Sequence, residues 1–174
     1  MQFDYDQYGS AFVDMRLHKL RSLVTAQFDM LFEEHDIEIP SACVSVILFL
    51  AQGRRVSISQ IAESTGYSHQ LISQRLSQLE ALSLAKRVDN TRDRRKWLIA
   101  LTKKGRAEAA RVESFLSVAR RVVDDLFLEI GVDLDLALIA ATDALILESV
   151  SARANRLGDE SVRPRSKRIA NAGK

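Results

Sequence analysis

The sequence predicts a mainly α-helical fold that contains one two-stranded β-hairpin. Only two prolines and seven glycines occur among the 174 residues, and this composition favours long helices over a strand-rich fold. Apolar residues recur at helical spacing in long segments near both ends of the chain. Between them, residues 84–88 and 97–101 form two short apolar runs joined by a polar, basic stretch, which is typical of a hairpin.

The composition also limits the class of protein. Apolar residues make up 47% of the chain, as in globular proteins, and the length is enough for one domain with its own core. The single cysteine, Cys43, excludes an internal disulfide and favours a reducing compartment. No run of eighteen apolar residues is present, so we expect no membrane partner. Residues 1–9 lack the basic start and apolar core of a secretory signal, so we expect a cytoplasmic protein.

The first predicted helix covers about residues 7–34. A helix of about 28 residues is about 42 Å long at 1.5 Å per residue, which is longer than a small module is wide. One such module cannot cover the whole apolar stripe, so a partner must cover the rest. The stripe consists of Phe12, Leu17, Leu20, Leu23, Val24, Phe28, Leu31 and Phe32.

The second predicted helix covers residues 41–52. Pro40 suits the first turn of this helix, where the missing N–H carries no cost. The run ACVSVILFLAQ is almost wholly apolar, which indicates burial on most faces. Gly53 ends the helix.

The next two predicted helices are short and are joined by a tight turn. The first, residues 57–64, begins with a capping-box pattern. Gly66 in the turn adopts a positive φ at little cost. Ser68 caps the second helix, which extends to about residue 82.

The second of these helices has two different faces. Ile72, Leu76 and Leu79 lie at positions i, i+4 and i+7 and form a buried stripe. The opposite face carries polar side chains that can approach base edges without burying an unpaired charge. These side chains are His69, Gln70, Ser73, Gln74 and Ser77.

Two long helices and a tail are predicted after the hairpin. Thr102 starts the first helix, which extends to about residue 130 and is closed by Gly131. Lys103 and Lys104 lie in its first turn, where positive charge is slightly unfavourable unless it meets phosphate. A final apolar helix covers residues 133–154. Residues 155–174 are polar and basic, and we expect this tail to be disordered.

Positive charge is concentrated in the middle of the chain. Residues 53–106 carry twelve Lys and Arg against four Asp and Glu, a net charge of +8, whereas the whole chain is only +2. Residues 1–52 carry −5, residues 107–152 carry −6, and residues 153–174 carry +5. A basic compact module between acidic segments is the pattern expected of a nucleic-acid-binding protein. The alternative is that the acidic helices only keep the protein soluble.

The order of the elements and two sequence motifs resemble the MarR family of winged helix-turn-helix transcriptional regulators. DRRKWLIALTKKG, residues 93–105, is similar to that family's wing, second strand and following helix start. SISQIAESTGYSHQLISQRLSQLEALSLAKR, residues 57–87, is similar to its two DNA-binding helices and first wing strand. Ser83 departs from the pattern, because the family commonly has glycine after the recognition helix.

The resemblance implies a non-enzymatic homodimer that binds double-stranded DNA at a near-palindromic site, most often as a repressor. Residues 1–38 and 107–154 would form a helical dimerisation region, and residues 39–106 the winged helix-turn-helix lobe that binds DNA. A small, often aromatic ligand in the crevice between these two regions would release the DNA. A regulator without a ligand stays open as an alternative, because the sequence contains no clear ligand-specific residues.

The recognition helix carries the predicted base contacts. We expect Gln70, Ser73 and Gln74 to reach base edges, with His69 and Ser77 beside them, and Ser68 to cap the helix. Arg75 lies between the two faces, and we expect it to contact a phosphate. The alternative for the polar residues is an ordinary solvated helix face.

The wing carries the predicted contacts to DNA phosphates and to the minor groove. Arg92, Arg94, Arg95 and Lys96 suit phosphates or a narrow minor groove, where the potential is more negative. By resemblance, Asp93 and Arg95 match the Asp-x-Arg of the family's wing, and Asp93 would orient a nearby arginine. The alternative for Asp93 is a hairpin turn residue. We expect Trp97 to pack at the base of the wing.

The remaining reactive residues indicate neither an enzyme nor a cofactor. His18, His35 and His69 are scattered without ligand spacing, so no metal site is expected. The sequence contains no phosphate-binding glycine loop and no nucleophile elbow. Cys43 lies in an apolar run without basic neighbours, which favours a core residue over a thiol-based redox sensor. A winged-helix protein-interaction module that does not bind DNA is the other alternative.

Overall fold

A computed structural model describes residues 6–53, 55–89 and 97–158 of the chain. The chain divides into two compact units, Met1–Ser117 and Val118–Lys174, and one long helix passes from the first unit into the second. The fold is mainly helical with a single described two-stranded sheet, as the sequence predicts. None of the described helices is both long enough and apolar enough to cross a membrane.

The first unit begins with a 3-10 helix, Asp6–Phe12, followed by helix α1, Val13–Glu34. Regular α-helix therefore starts later than the expected residue 7, because Gly9 adopts φ 55° and ψ −134° inside the 3-10 segment. Of the α1 side chains, only Phe32 is buried. The exposed large apolar side chains of α1 are Val13, Met15, Leu17, Leu23, Val24 and Met30.

Helix α2, Val44–Ala51, forms the centre of the first unit and is preceded by a 3-10 turn, Ser41–Cys43. Pro40 lies just before that turn with an extended backbone, φ −59° and ψ 137°, rather than inside the first turn as expected. The buried core combines side chains from α2 with those of the segment before it and of the helices and strands that follow. Its most completely buried apolar members are Ile39, Cys43, Val46, Ile47, Ile61, Ile72, Leu79, Leu84, Ile99 and Val112.

The helix-turn-helix consists of α3, Ile58–Thr65, and α4, His69–Ala81. The predicted capping box is confirmed, because the Ser57 side chain accepts from the Gln60 amide and the Gln60 side chain accepts from the Ser57 amide. Gly66 ends α3 in the left-handed conformation, φ 71°, as expected. Ser68 caps α4 by accepting from the amide of Leu71.

Strands β1, Ala85–Val88, and β2, Leu98–Leu101, form an antiparallel hairpin with Ala85 opposite Leu101. Val56 adds an isolated bridge to Ile99, so the segment before α3 is hydrogen-bonded to the hairpin. Ser83 occupies the turn from α4 into β1 with φ 59°. The chain therefore adopts a left-handed conformation without glycine at the position where the sequence departs from the MarR pattern.

Helix α5, Lys103–Ile130, starts directly against the beginning of β1. The amide of Thr102 donates to the Leu84 carbonyl at 2.9 Å, and its hydroxyl donates to the Ser83 carbonyl at 2.8 Å. A Cβ placed on Gly105 would lie 1.9 Å from the Leu84 carbonyl oxygen. The absence of a side chain at Gly105 is what permits this close approach.

The second unit contains the end of α5, helix α6, Leu134–Leu147, and helix α7, Val150–Arg156. The prediction of one helix over 133–154 is wrong, because Glu148 adopts an extended backbone and Ser149 caps a new helix. Asn155 and Arg156 are helical rather than part of a disordered tail. Residues 159–174 of the expected tail lie outside the described residues.

Candidate nucleic-acid interface

Helix α4 presents its polar face to solvent because its apolar stripe is held in the core. Ile72, Leu76 and Leu79 are all buried, as the spacing predicts. Gln70, Ser73, Gln74, Ser77 and His69 are exposed, so every expected base-contacting side chain lies on the open side of the lobe.

The serines of α4 differ in how freely their hydroxyls can donate. The Ser77 hydroxyl donates to the Ser73 carbonyl at 3.0 Å within the helix, so its proton is already engaged. At the cap before α4, the Ser68 hydroxyl oxygen accepts from the Leu71 amide, which uses a lone pair and not the hydroxyl proton. The side-chain amides of Gln70 and Gln74 each offer a donor and an acceptor, and they form no hydrogen bond to another described residue.

Arg75 is placed differently from the expectation. It is only 9% exposed, and its guanidinium lies over the Tyr67 ring, with Cζ 4.0 Å from the ring centroid. Its Nη1 donates to the Ser45 hydroxyl at 3.3 Å. A hydrogen bond to Arg75 lowers the pKa of Tyr67. The guanidinium is thus engaged inside the lobe rather than presented to a phosphate.

The predicted wing contacts fall on a segment that is not described. Arg92, Asp93, Arg94, Arg95 and Lys96 all lie outside the described residues, so their roles stay predictions. An ion pair links strand β1 to α4, since the Arg87 guanidinium lies 3.0 Å from the Glu80 carboxylate. Trp97 is 56% exposed and does not pack into the base of the wing as expected.

A basic groove, which the sequence analysis did not assign, lies beside the hairpin. It encloses about 290 Å³ between the end of α2, the strands and the start of α5. Among the residues that the structure describes, four cationic side chains and no acidic one line it, although they come from separate parts of the sequence. They are Arg55, Lys86, Lys103 and Arg106. The net charge of +8 was the only sequence signal of this groove, because residues far apart in the chain meet only in the fold.

Cys43 lies in the core rather than at the surface. The thiol is fully buried and donates to the Gln78 side-chain oxygen at 3.2 Å. Burial raises the pKa of the Cys43 thiol to about 11. Because the thiolate is the reactive form, this environment favours a structural role over redox sensing.

No metal-binding cluster of His, Cys, Asp and Glu occurs within 6–53, 55–89 and 97–158. Glu108 is a buried carboxylate, but it is used structurally. It accepts from the Glu38 amide, which ties α5 to the segment before α2, and it pairs with Arg111 of the same helix at 3.3 Å.

Comparisons with known proteins agree with this architecture. Residues 37–96 match the sequence model of the MarR family. The matched residues contain the helix-turn-helix and the first strand of the hairpin, so this part of the chain is similar to the MarR-family winged helix-turn-helix. The resemblance inferred from residues 57–87 and 93–105 is thereby confirmed, and so is the fold class. MarR-family regulators are non-enzymatic, in agreement with the sequence prediction.

Solved structures extend the likeness beyond the matched segment. The transcriptional repressor CouR, bound to a 23-mer DNA duplex, is 25% identical with a TM-score of 0.60. The alignment covers 84% of this chain and 99% of that one. The MarR-family transcription regulator SP03579 is 18% identical with a TM-score of 0.59, over 83% of this chain and 95% of that one, which shows the fold alone. No curated protein matches the sequence.

Proposed function

We propose that this protein is a homodimeric, sequence-specific DNA-binding transcription regulator that acts as a repressor in the cytoplasm. The observation that carries the proposal is the exposed polar face of α4, held on a capped helix-turn-helix beside a basic hairpin. The similar repressor CouR binds a DNA duplex, which supports the same activity here. On this proposal, promoter occlusion by the bound dimer lowers transcription.

The proposed DNA contacts are of two kinds, contacts to base edges and contacts to phosphates or the minor groove. Gln70, Ser73 and Gln74 read base edges in the major groove, and His69 and Ser77 lie beside them. Arg92, Arg94, Arg95 and Lys96 anchor the wing to phosphates or in the minor groove, with Asp93 orienting an arginine. Phosphate contacts supply affinity for any duplex, whereas the α4 contacts supply preference for one sequence.

Dimerisation is proposed from the apolar surface that the single chain leaves uncovered. In the second unit, no residue of α6 is buried, although its sequence LDLALIAATDALIL is largely apolar. Ile146 is 79% exposed and Leu147 is 89% exposed. Exposed apolar surface on this scale is typical of a protein interface, and a second copy is the partner that gives two recognition helices about 34 Å apart. Residues 1–38 and 107–154 are the proposed dimerisation region, and residues 39–106 the DNA-binding lobe.

Release by a small aromatic ligand is part of the proposal. A ligand releases DNA only if its affinity is higher for a protein conformation that cannot bind DNA than for the conformation that can. Thermal-shift screening of small aromatic acids identifies binders, and each binder is then tested for DNA release. A ligand that stabilises the protein without changing its affinity for DNA would contradict the coupling.

The proposal is tested by selecting bound fragments from the source genome. We expect one or a few fragments to be bound preferentially over random duplex, with log affinity falling against log salt by about 0.9 per phosphate contact. Replacing Gln74 with Ala should reduce this preference, whereas Gln52→Ala, an exposed glutamine at the end of α2, should not. Equal affinity for every fragment would refute sequence-specific binding.

Two other functions have distinct predictions. A protein-interaction module would keep its partner when Arg94 and Arg95 are replaced with Ala, whereas a DNA-binding protein would lose affinity for all duplexes. A redox-sensing regulator would lose its peroxide response in Cys43→Ser. The high pKa and full burial of Cys43 favour neither oxidation nor thiolate chemistry.

A further inference from the structure

Arg75 combines features that are unusual for a residue on a recognition helix. Its charge is buried, and none of the described carboxylates forms an ion pair with it. Its Nε is buried without a hydrogen-bond partner among the described residues. A buried charge is costly, and an apolar side chain of similar volume would fill the same space at lower cost. Space filling alone therefore does not account for an arginine at this position.

The contacts that Arg75 does make are directional. Nη1 reaches the Ser45 hydroxyl on α2, and the guanidinium plane meets the face of Tyr67 in the turn that leads into α4. Both interactions weaken when their angles change. The contacts of Ile72, Leu76 and Leu79 are apolar and depend little on direction. The apolar stripe thus determines which face of α4 is buried, and the directional contacts of Arg75 add a restraint on the exact rotation of the helix about its own axis.

We propose that Arg75 is a positioning residue that fixes the rotation of α4 through Ser45 and Tyr67, and thereby sets which bases the exposed face can read. This inference rests on the proposed DNA-binding function. Arg75 follows Gln74 directly in the helix, so any rotation of Arg75 moves Gln74 by the same angle. A recognition contact tolerates a misalignment of only about 10–20°. A small rotation therefore removes base discrimination while the basic wing still holds the duplex.

A second contact supports this role of Arg75. The Cys43 thiol lies 3.8 Å from the Arg75 carbonyl, so the turn before α2 also contacts the backbone of α4 at this residue. Ser45 is two residues further along the chain. Side chain and main chain of Arg75 are thus both fixed to the same short segment, residues 43–45.

The test compares Arg75→Met with the wild type on two duplexes: the fragment recovered by genomic selection and a scrambled duplex of equal length. Affinities are measured by fluorescence anisotropy over a range of salt concentrations. We expect the ratio of the two affinities to fall at least about tenfold, which is the discrimination of one good base contact. Affinity for the scrambled duplex and the salt slope should stay unchanged, because the variant keeps all the side chains that bind phosphate.

The matched control is Arg95→Met on the wing. This variant should lower the affinity for both duplexes by the same factor, so that the affinity ratio stays unchanged. It should also lower the salt slope by about 0.9 for each phosphate that is no longer bound. Ser45→Ala removes the acceptor while Arg75 stays in place, and it should reduce the ratio in the same direction as Arg75→Met. Circular dichroism confirms that each variant is folded, and Ser45→Ala decides the question if Arg75→Met does not fold.

Three results would overturn the inference. A lower salt slope for Arg75→Met, together with an equal loss of affinity for both duplexes, would identify Arg75 as a phosphate contact. If folded Arg75→Met keeps the wild-type ratio of the two affinities, Arg75 has a role in stability alone. The same conclusion follows from an unchanged affinity ratio in Ser45→Ala if only that variant folds. A wild-type protein that prefers no duplex would refute the proposed function itself, and the inference would fall with it.

Discussion

Gly105→Ala tests the tight junction between α5 and the hairpin, because two physical effects predict opposite results. Gly105 lies in the first turn of α5, and in a helix alanine is more stable than glycine by about 1 kcal/mol. In this fold, however, the new Cβ would lie 1.9 Å from the Leu84 carbonyl oxygen and 2.8 Å from the Leu84 carbonyl carbon. Both of these atoms belong to the backbone, so no side chain can rotate away.

The size of the effect follows from the movement that alanine requires. Ordinary contact begins at about 3.4 Å, so the two segments must separate by about 1.5 Å. The hydrogen bond from the Thr102 amide to the Leu84 carbonyl, now 2.9 Å, would break, as would the one from its hydroxyl to Ser83. Two hydrogen bonds at about 1 kcal/mol each and overpacking of about 1–3 kcal/mol exceed the gain in helix propensity. We expect a net loss of about 2–4 kcal/mol.

The assay is urea unfolding followed by circular dichroism at one fixed protein concentration, since the stability of the proposed dimer would depend on concentration. Ala107→Gly is the matched control, because Ala107 is an exposed position on the same helix where only propensity changes. The control should lose about 1 kcal/mol. An unchanged or higher free energy of unfolding for Gly105→Ala would show that the junction has room for a side chain, and the steric reasoning would be wrong.

Three further predictions follow from single positions. Ser83→Gly should raise the free energy of unfolding by about 0.5–1 kcal/mol in urea denaturation, because φ 59° is strained for serine; a loss of stability would contradict this. Because burial raises the pKa of Cys43 from 9.0 to about 11, the unfolded thiol ionises first, so its contribution to stability is present below pH 9 and lost as the pH rises towards 11. The free energy of unfolding of Cys43→Ala should therefore decline less between pH 9 and pH 11 than that of the wild type. An equal decline in both proteins would refute this contribution of Cys43. Ile146→Glu should shift the sedimenting species from dimer to monomer, whereas an unchanged dimer would exclude this part of α6 from the interface.

Most elements of the fold could be predicted because the patterns that define them involve residues close together in the chain. The capping box at Ser57, the left-handed turn at Gly66 and the stripe from Ile72 to Leu79 are all set by spacing within one or two turns. The break at Glu148–Ser149 was missed because it contains neither glycine nor proline. Its signal was only the capping serine, which also occurs on ordinary helix surfaces.

Features that depend on distant residues could not be predicted in the same way. The spacing on α4 placed Arg75 between two faces, and only the positions of Ser45 and Tyr67 show that it turns inward. The sequence did not reveal the need for glycine at 105, since that need comes from Leu84 on another element. The exposure of the polar face of α4 was predicted correctly from the spacing, whereas the proposed base contacts of its side chains stay a prediction.

The bridge between Val56 and Ile99 has a mechanical consequence for the lobe. Two hydrogen bonds, 2.7 and 3.2 Å long, join these residues directly beside Ser57. A force that tilts the hairpin must stretch both bonds and disturb the start of α3. Hairpin and helix-turn-helix should therefore move as one stiff body, so that the two elements proposed to contact DNA, α4 and the hairpin, stay at a fixed distance from each other. Any adjustment to targets of different curvature must then take place in other parts of the protein.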